Sequence, residues 1–126
     1  PPNSHYLGAR APAEVNGIIA AAQFLVLTCE PEGFPNVLMQ AWNLAKPTLS
    51  LGYDPEGMLS ANRLGTVAGS AAELAQAARA LLHDPAEREA IGVRAARFAA
   101  ENFTLSANAQ QLERFCEELL ARRRRA

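Results

Sequence analysis

Phe24–Thr28 (FLVLT), Cys29–Pro35 (CEPEGFP) and Asn36–Trp42 (NVLMQAW) follow one another without a break. The first is a continuous apolar run of strand length, the pattern of a strand buried on both faces. The second packs two prolines, two acids and a glycine into seven residues, a stiff turn. The third opens a helix that the spacing predicts over Asn36–Ala45, ended by Lys46-Pro47. Strand, turn and helix in this order are the repeating unit of a parallel sheet with crossover helices.

The same unit recurs on both sides. Upstream, His5–Gly8 alternates like a strand, and Pro12 suits the first turn of a helix reaching about Ala22. Downstream, Pro47–Leu51 (PTLSL) reads as a strand. A short helical turn near Glu56–Asn62 then leads to a last strand, Gly65–Ala68, closed by Gly69. The expected fold is α/β, a Rossmann-like parallel sheet of about four strands (β-α-β-α-β-α-β) over residues 4–69, with helices over 70–126. Ser70-Ala-Ala-Glu73 is a capping box, and Leu74, Ala77, Ala78, Leu81 and Leu82 form one apolar stripe behind it. Asp84-Pro85-Ala-Glu87 starts a helix carrying Ile91, Ala95 and Phe98 inward. Thr104 caps a final helix with Leu105, Ala109, Leu112, Cys116 and Leu119 at 4-3-4-3 spacing.

Composition excludes several functions. The 126 residues, 49% hydrophobic and 20% charged with a formal net charge of −1, suit one globular domain and provide no field for nucleic acid. The longest apolar candidate, Ile18–Leu27, is broken by Gln23 and falls short of a membrane span of roughly 20 residues. Cys29 and Cys116 lie far apart without neighbouring ligands, so no metal site is expected. His5 and His83 are equally isolated and receive no catalytic role. Arg122–Arg125 fits the negative end of a last helix; a peripheral contact with an anionic membrane, at about 1 kcal/mol per Arg, is the alternative. The chain opens Pro-Pro-Asn with no initiator Met, and we read it as a piece of a longer protein.

Open α/β sheets take ligands beyond the carboxyl ends of their strands, which is where CEPEGFP lies. The amides that open the next helix make an anion site, worth about 0.3–1 kcal/mol per charge when exposed and up to ~2 when partly buried. A pyrophosphate is its natural occupant. Glu32, at the lip of the turn, suits sugar hydroxyls better than phosphate. A plain strand-to-helix connection explains the same spacing.

Glu32-Gly33-Phe34-Pro35-Asn36-Val37-Leu38-Met39-Gln40-Ala41-Trp42, then Ala45-Lys46-Pro47, resembles the group 1 (family 4) retaining glycosyltransferases of the GT-B fold. Their hallmark is E-G-F-x-x-V-x-x-E-A followed by G-K-P. His5–Arg10, Gly65–Gly69 and Leu82–Pro85 are similar to further segments of that family, in order. The resemblance implies that residues 1–126 are part of the C-terminal, donor-binding domain, preceded in the parent protein by further strands and an acceptor-binding domain. Alone, such a piece is not expected to catalyse transfer.

The resemblance also implies roles. Glu32, the catalytic residue, accepts hydrogen bonds from the donor sugar. Backbone amides from Gly33, Phe34, Pro35, Asn36 and Val37 hold the diphosphate. Gly8, Ala9 and Arg10 lie near the nucleobase. Gln40 stands where the family has a second Glu that binds the ribose. Exchanging a charged for a neutral acceptor there costs on the order of 1 kcal/mol, roughly fivefold in affinity. No metal or other cofactor is implied. The donor is a UDP- or GDP-linked sugar, and the acceptor a glycan or lipid-linked sugar at a cytoplasmic or membrane-peripheral site. A non-catalytic Rossmann-like scaffold is the rival: Gln40 and the lack of the family's basic residues favour it, and Glu32-Gly33-Phe34 opposes it. A flavodoxin-like or receiver domain needs a phosphate loop or acidic cluster where Leu7–Arg10 has neither. The open edge of the His5–Gly8 strand, with the apolar faces that missing helices would cover, is expected to drive self-association of the isolated piece into a symmetric pair.

Overall fold

Three short strands lie side by side, all parallel, in the order β1 (Leu25–Leu27), β2 (Thr48–Leu51), β3 (Gly65–Ala68). They belong to a computed structural model that describes residues 2–29 and 33–123. Around them run α1 (Pro12–Ala21), α2 (Asn36–Asn43), a 3-10 turn (Pro55–Gly57) continued by α3 (Met58–Ala61), α4 (Ala71–His83), α5 (Pro85–Asn102) and α6 (Leu105–Arg123). The expected α/β class with a parallel sheet and crossover helices is what the chain forms.

The sheet has three strands among the described residues, one fewer than expected, because His5–Gly8 is not a strand. Tyr6 there is 98% exposed, and Gly8 takes a left-handed φ of 68°. Arg10 Nε donates to the Leu7 carbonyl at 2.8 Å, turning the chain back on itself. With no neighbour to complete its ladder, an alternating segment has nothing to hold it extended.

β2 is the central strand, and its Thr48, Leu49 and Ser50 are fully buried. The two polar side chains are satisfied: Trp42 Nε1 donates to Thr48 Oγ1 at 3.2 Å, and Ser50 Oγ donates to the Tyr53 carbonyl at 2.5 Å. Side chains alternate between two layers. One core gathers Leu27, Leu38, Trp42, Leu59, Leu64, Ala95 and Ala99 under α2, α3 and α5; the other gathers Leu49, Leu81 and Ile91 under α4 and α5. β1 departs from the doubly buried strand that its apolar run suggests, since Val26 is 45% exposed. Val26 shares the face of its register partner Leu49, but α4 lies over β2 and β3 and leaves the β1 end of that face open.

Two glycines allow close approach. A Cβ on Gly65 would lie 1.7 Å from the Thr48 carbonyl oxygen, and one on Gly92 would lie 2.2 Å from that of Ala45. The second contact seats α5 against the corner between α2 and β2.

The helix starts follow the sequence closely. Ser70 Oγ accepts from Glu73 N at 3.3 Å, but the Glu73 carboxylate reaches Gly69 N (2.9 Å) and not the cap residue's own amide. Asp84 accepts from Glu87 N at 2.9 Å and Thr104 Oγ1 from Ala107 N at 3.1 Å. Glu87, three residues after its cap as Glu73 is, turns its carboxylate to Arg94 at 3.3 Å. Leu82 departs from its expected stripe and is exposed. None of the described residues of α6 is buried, so Leu105, Leu112, Cys116 and Leu119 share an apolar but uncovered face.

Candidate functional site

In an all-parallel sheet the segments that follow each strand gather at one edge. Here these are the segment after β1 that ends in Gly33–Pro35, Gly52–Gly57 after β2, and Gly69-Ser70 after β3. Glu30, Pro31 and Glu32 lie outside the described residues, and Glu32 is placed here by sequence alone. The description resumes at Gly33, which is exposed, and at Phe34, which is half-buried.

Phe34 anchors the turn. Its ring meets Trp42 edge-on at 5.9 Å between centroids and tilts against Phe103 at 5.1 Å. Trp42 in turn meets Phe98 edge-on at 5.6 Å. Each such pair adds about 0.5–1.5 kcal/mol beyond the area it buries. Pro35 is buried and serves as the cap position of α2, with no side-chain hydrogen bond to the helix. It has no N–H, so of the five amides read as a phosphate cradle only four exist, those of Gly33, Phe34, Asn36 and Val37. Leu38 N is already used, donating to the Pro35 carbonyl at 3.0 Å.

On α2, Leu38, Ala41 and Trp42 bury one side. Asn36 and Gln40, four residues apart, lie one above the other on the opposite side, exposed and half-buried respectively. Along this turn and the start of α2, Gly33 and Asn36 are exposed, Phe34, Val37 and Gln40 half-buried, and Pro35 buried. Gly8, Ala9 and Arg10 are exposed. The Arg10 guanidinium is engaged locally, with the Leu7 carbonyl and with Glu14 at 3.6 Å. Among the described residues it makes no hydrogen bond to the Gly33–Gln40 segment.

The structure adds a neighbour that the sequence reading passed over. Tyr53 Oη donates to the Gly33 carbonyl at 3.1 Å, joining the segments after β1 and β2. Gly33, Phe34, Tyr53, Pro55 and Glu56 line a cleft of about 150 Å³ at this edge. The signal was available: Gly52-Tyr-Asp-Pro-Glu-Gly57 is rich in turn formers and follows a strand, as CEPEGFP does. A larger hollow of about 480 Å³, lined by Ala22, Lys46, Pro85 and Arg88 among others, lies at the opposite edge, where the strands begin. Arg88 there already donates to the Leu81 carbonyl at 2.5 Å. Parallel sheets present ligand sites at their carboxyl edge, so the smaller cleft is the candidate.

Among the described residues no group of three His, Cys, Asp or Glu side chains could hold a metal, and no helix is long and apolar enough to cross a membrane. Arg97 is held protonated more firmly than usual by its hydrogen bond and Coulombic attraction to Glu101. That pair lies on the exposed outer side of α5.

A family model described as "Glycosyl transferases group 1" matches residues 1–84, two thirds of the 126. The chain belongs to the group 1 glycosyltransferases. The part matched as a group 1 glycosyltransferase contains the whole sheet, the Gly33 turn and α2, and it stops at Asp84, the cap of α5. No curated protein and no solved structure matches this group 1 member.

Proposed function

We propose that the chain is the nucleotide-sugar-binding part, in the C-terminal domain of a GT-B fold, of a retaining glycosyltransferase. It serves transfer of a sugar from a UDP- or GDP-linked donor to a glycan or lipid-linked acceptor, in the cytoplasm or at a membrane periphery. The observation that carries this reading is the turn and helix start with Gly33, Phe34, Asn36, Val37 and Gln40, at the carboxyl edge of a parallel sheet in a group 1 glycosyltransferase. No side chain caps α2 there, so its leading amides and the positive end of its dipole are left to a ligand. An incoming diphosphate is bound by them, and as the glycosidic bond breaks they stabilise the charge gathering on the leaving group. In this reading Glu32 accepts from the sugar hydroxyls, Gln40 meets the ribose, and Gly8–Arg10 approach the base. The charge, in this reading, is met by the amides and the helix dipole, with no metal.

Calorimetry of the full-length protein with UDP and GDP tests the reading: one of the two binds. Binding of neither favours the second reading, a non-catalytic scaffold, which Gln40 in place of the family's Glu supports. Glu32→Gln is expected to lower turnover at least tenfold while leaving the melting temperature unchanged. Activity surviving within a few-fold removes Glu32 from the catalytic role.

A further inference from the structure

The segment after β2 is fixed at both ends. Ser50 Oγ donates to the Tyr53 carbonyl at 2.5 Å, and the Asp54 carboxylate accepts from Leu59 N at 2.8 Å and Ser60 N at 3.2 Å. Between these points the Tyr53 hydroxyl spans twenty residues of sequence to the Gly33 carbonyl. Glu56 follows in a left-handed conformation, φ 50° and ψ 24°, which places an exposed carboxylate on the rim of the same cleft. The cleft therefore has aromatic walls from Phe34 and Tyr53, a floor that includes the buried Pro55, and one acid. At about 150 Å³ it is smaller than the roughly 300–1,000 Å³ that houses a drug-sized ligand, and its scale is that of one sugar ring. Apolar faces for C–H groups beside a carboxylate that accepts from hydroxyls is the chemistry that recognises a saccharide.

We propose that this segment is the second wall of the donor site. Tyr53 is a positioning residue that holds the Gly33 turn through its hydroxyl, and Glu56 is the specificity-determining carboxylate that selects among donor sugars. The inference rests on the donor-binding reading above and adds two residues to it. Nucleotide and sugar are then read by different elements: the α2 turn holds the diphosphate whichever sugar it carries, and Glu56 meets only the hydroxyls. Tyr53 couples the two, because the carbonyl it holds belongs to the residue that opens the phosphate cradle.

The test uses the full-length protein and calorimetry with UDP, GDP and a panel of UDP- and GDP-linked hexoses that differ in hydroxyl configuration. Glu56→Gln should leave affinity for the bare nucleotide unchanged and weaken the conjugates about three- to tenfold, unequally across the panel. Tyr53→Phe keeps the ring and removes only the hydroxyl. It should weaken nucleotide and conjugates alike, again about three- to tenfold, at an unchanged melting temperature. If the wild type binds nucleotide sugars and neither variant differs from it, the second wall is wrong while the donor-binding reading stands. Equal loss of bare nucleotide and conjugates in Glu56→Gln likewise removes Glu56 from the sugar pocket. If the wild type binds no nucleotide and no conjugate, the donor-binding reading fails, and this inference with it.

Discussion

Gln40 and Ala45 both differ from the hallmark that Glu32–Pro47 resembles, and the structure gives each a distinct consequence. Gln40 is half-buried on the side of α2 shared with Asn36, away from the side that Leu38, Ala41 and Trp42 bury. Gln40→Glu is expected to tighten UDP or GDP binding roughly fivefold, read by calorimetry; unchanged or weaker binding would mean that this side chain does not face the ribose. Ala45 follows α2 with φ 55°, where its Cβ crowds the backbone at a cost of about 1–2 kcal/mol. The turn is nonetheless closed, with Lys46 N donating to the Ala41 carbonyl at 2.9 Å. Ala45→Gly should raise stability by about 0.5–1 kcal/mol in urea denaturation, the strain relieved less the added entropy of the unfolded chain. The Gly33 turn was legible at this scale because its composition is unusual within seven residues. Tyr53 was not, because its role comes from a contact between segments twenty residues apart.

Among the elements, those with local causes were read correctly. Ser70, Asp84 and Thr104 start their helices through side chains three residues from the amide they satisfy, and no tertiary information is needed to see that. Burial is a different matter. FLVLT looks buried on both faces, yet Val26 is open because α4 crosses the other two strands. His5–Gly8 alternates like a strand and has no ladder to join. An apolar pattern states what a segment can bury and leaves open what arrives to cover it. The seating of α5 also depends on a partner remote in sequence, since Gly92 meets the Ala45 carbonyl. Gly92→Ala forces that contact apart and should cost about 1–3 kcal/mol, seen as a lower denaturation midpoint. No loss would show that α5 can slide without penalty.

At the scale of the molecule, apolar side chains stand uncovered at the β1 end of the sheet face that α4 packs on, with Val26, and on the α6 face of Leu112, Phe115, Cys116 and Leu119. Residues 1–126 are expected to self-associate at micromolar concentration, measured by size exclusion with light scattering, and Leu112→Glu with Phe115→Glu should shift the population toward monomer. A wild-type monomer throughout would show that neither surface is adhesive in water. A different property follows from the burial of Trp42. It is the sequence's single tryptophan, wholly enclosed, touching Phe34 from the Gly33 turn, Phe98 on α5 and Phe103 at the α5–α6 junction. Its fluorescence is therefore a built-in optical gauge. The ring should emit at short wavelength while enclosed, and any occupant that shifts Phe34 should alter that emission, so ligand titrations and unfolding can be followed on unlabelled protein from one chromophore.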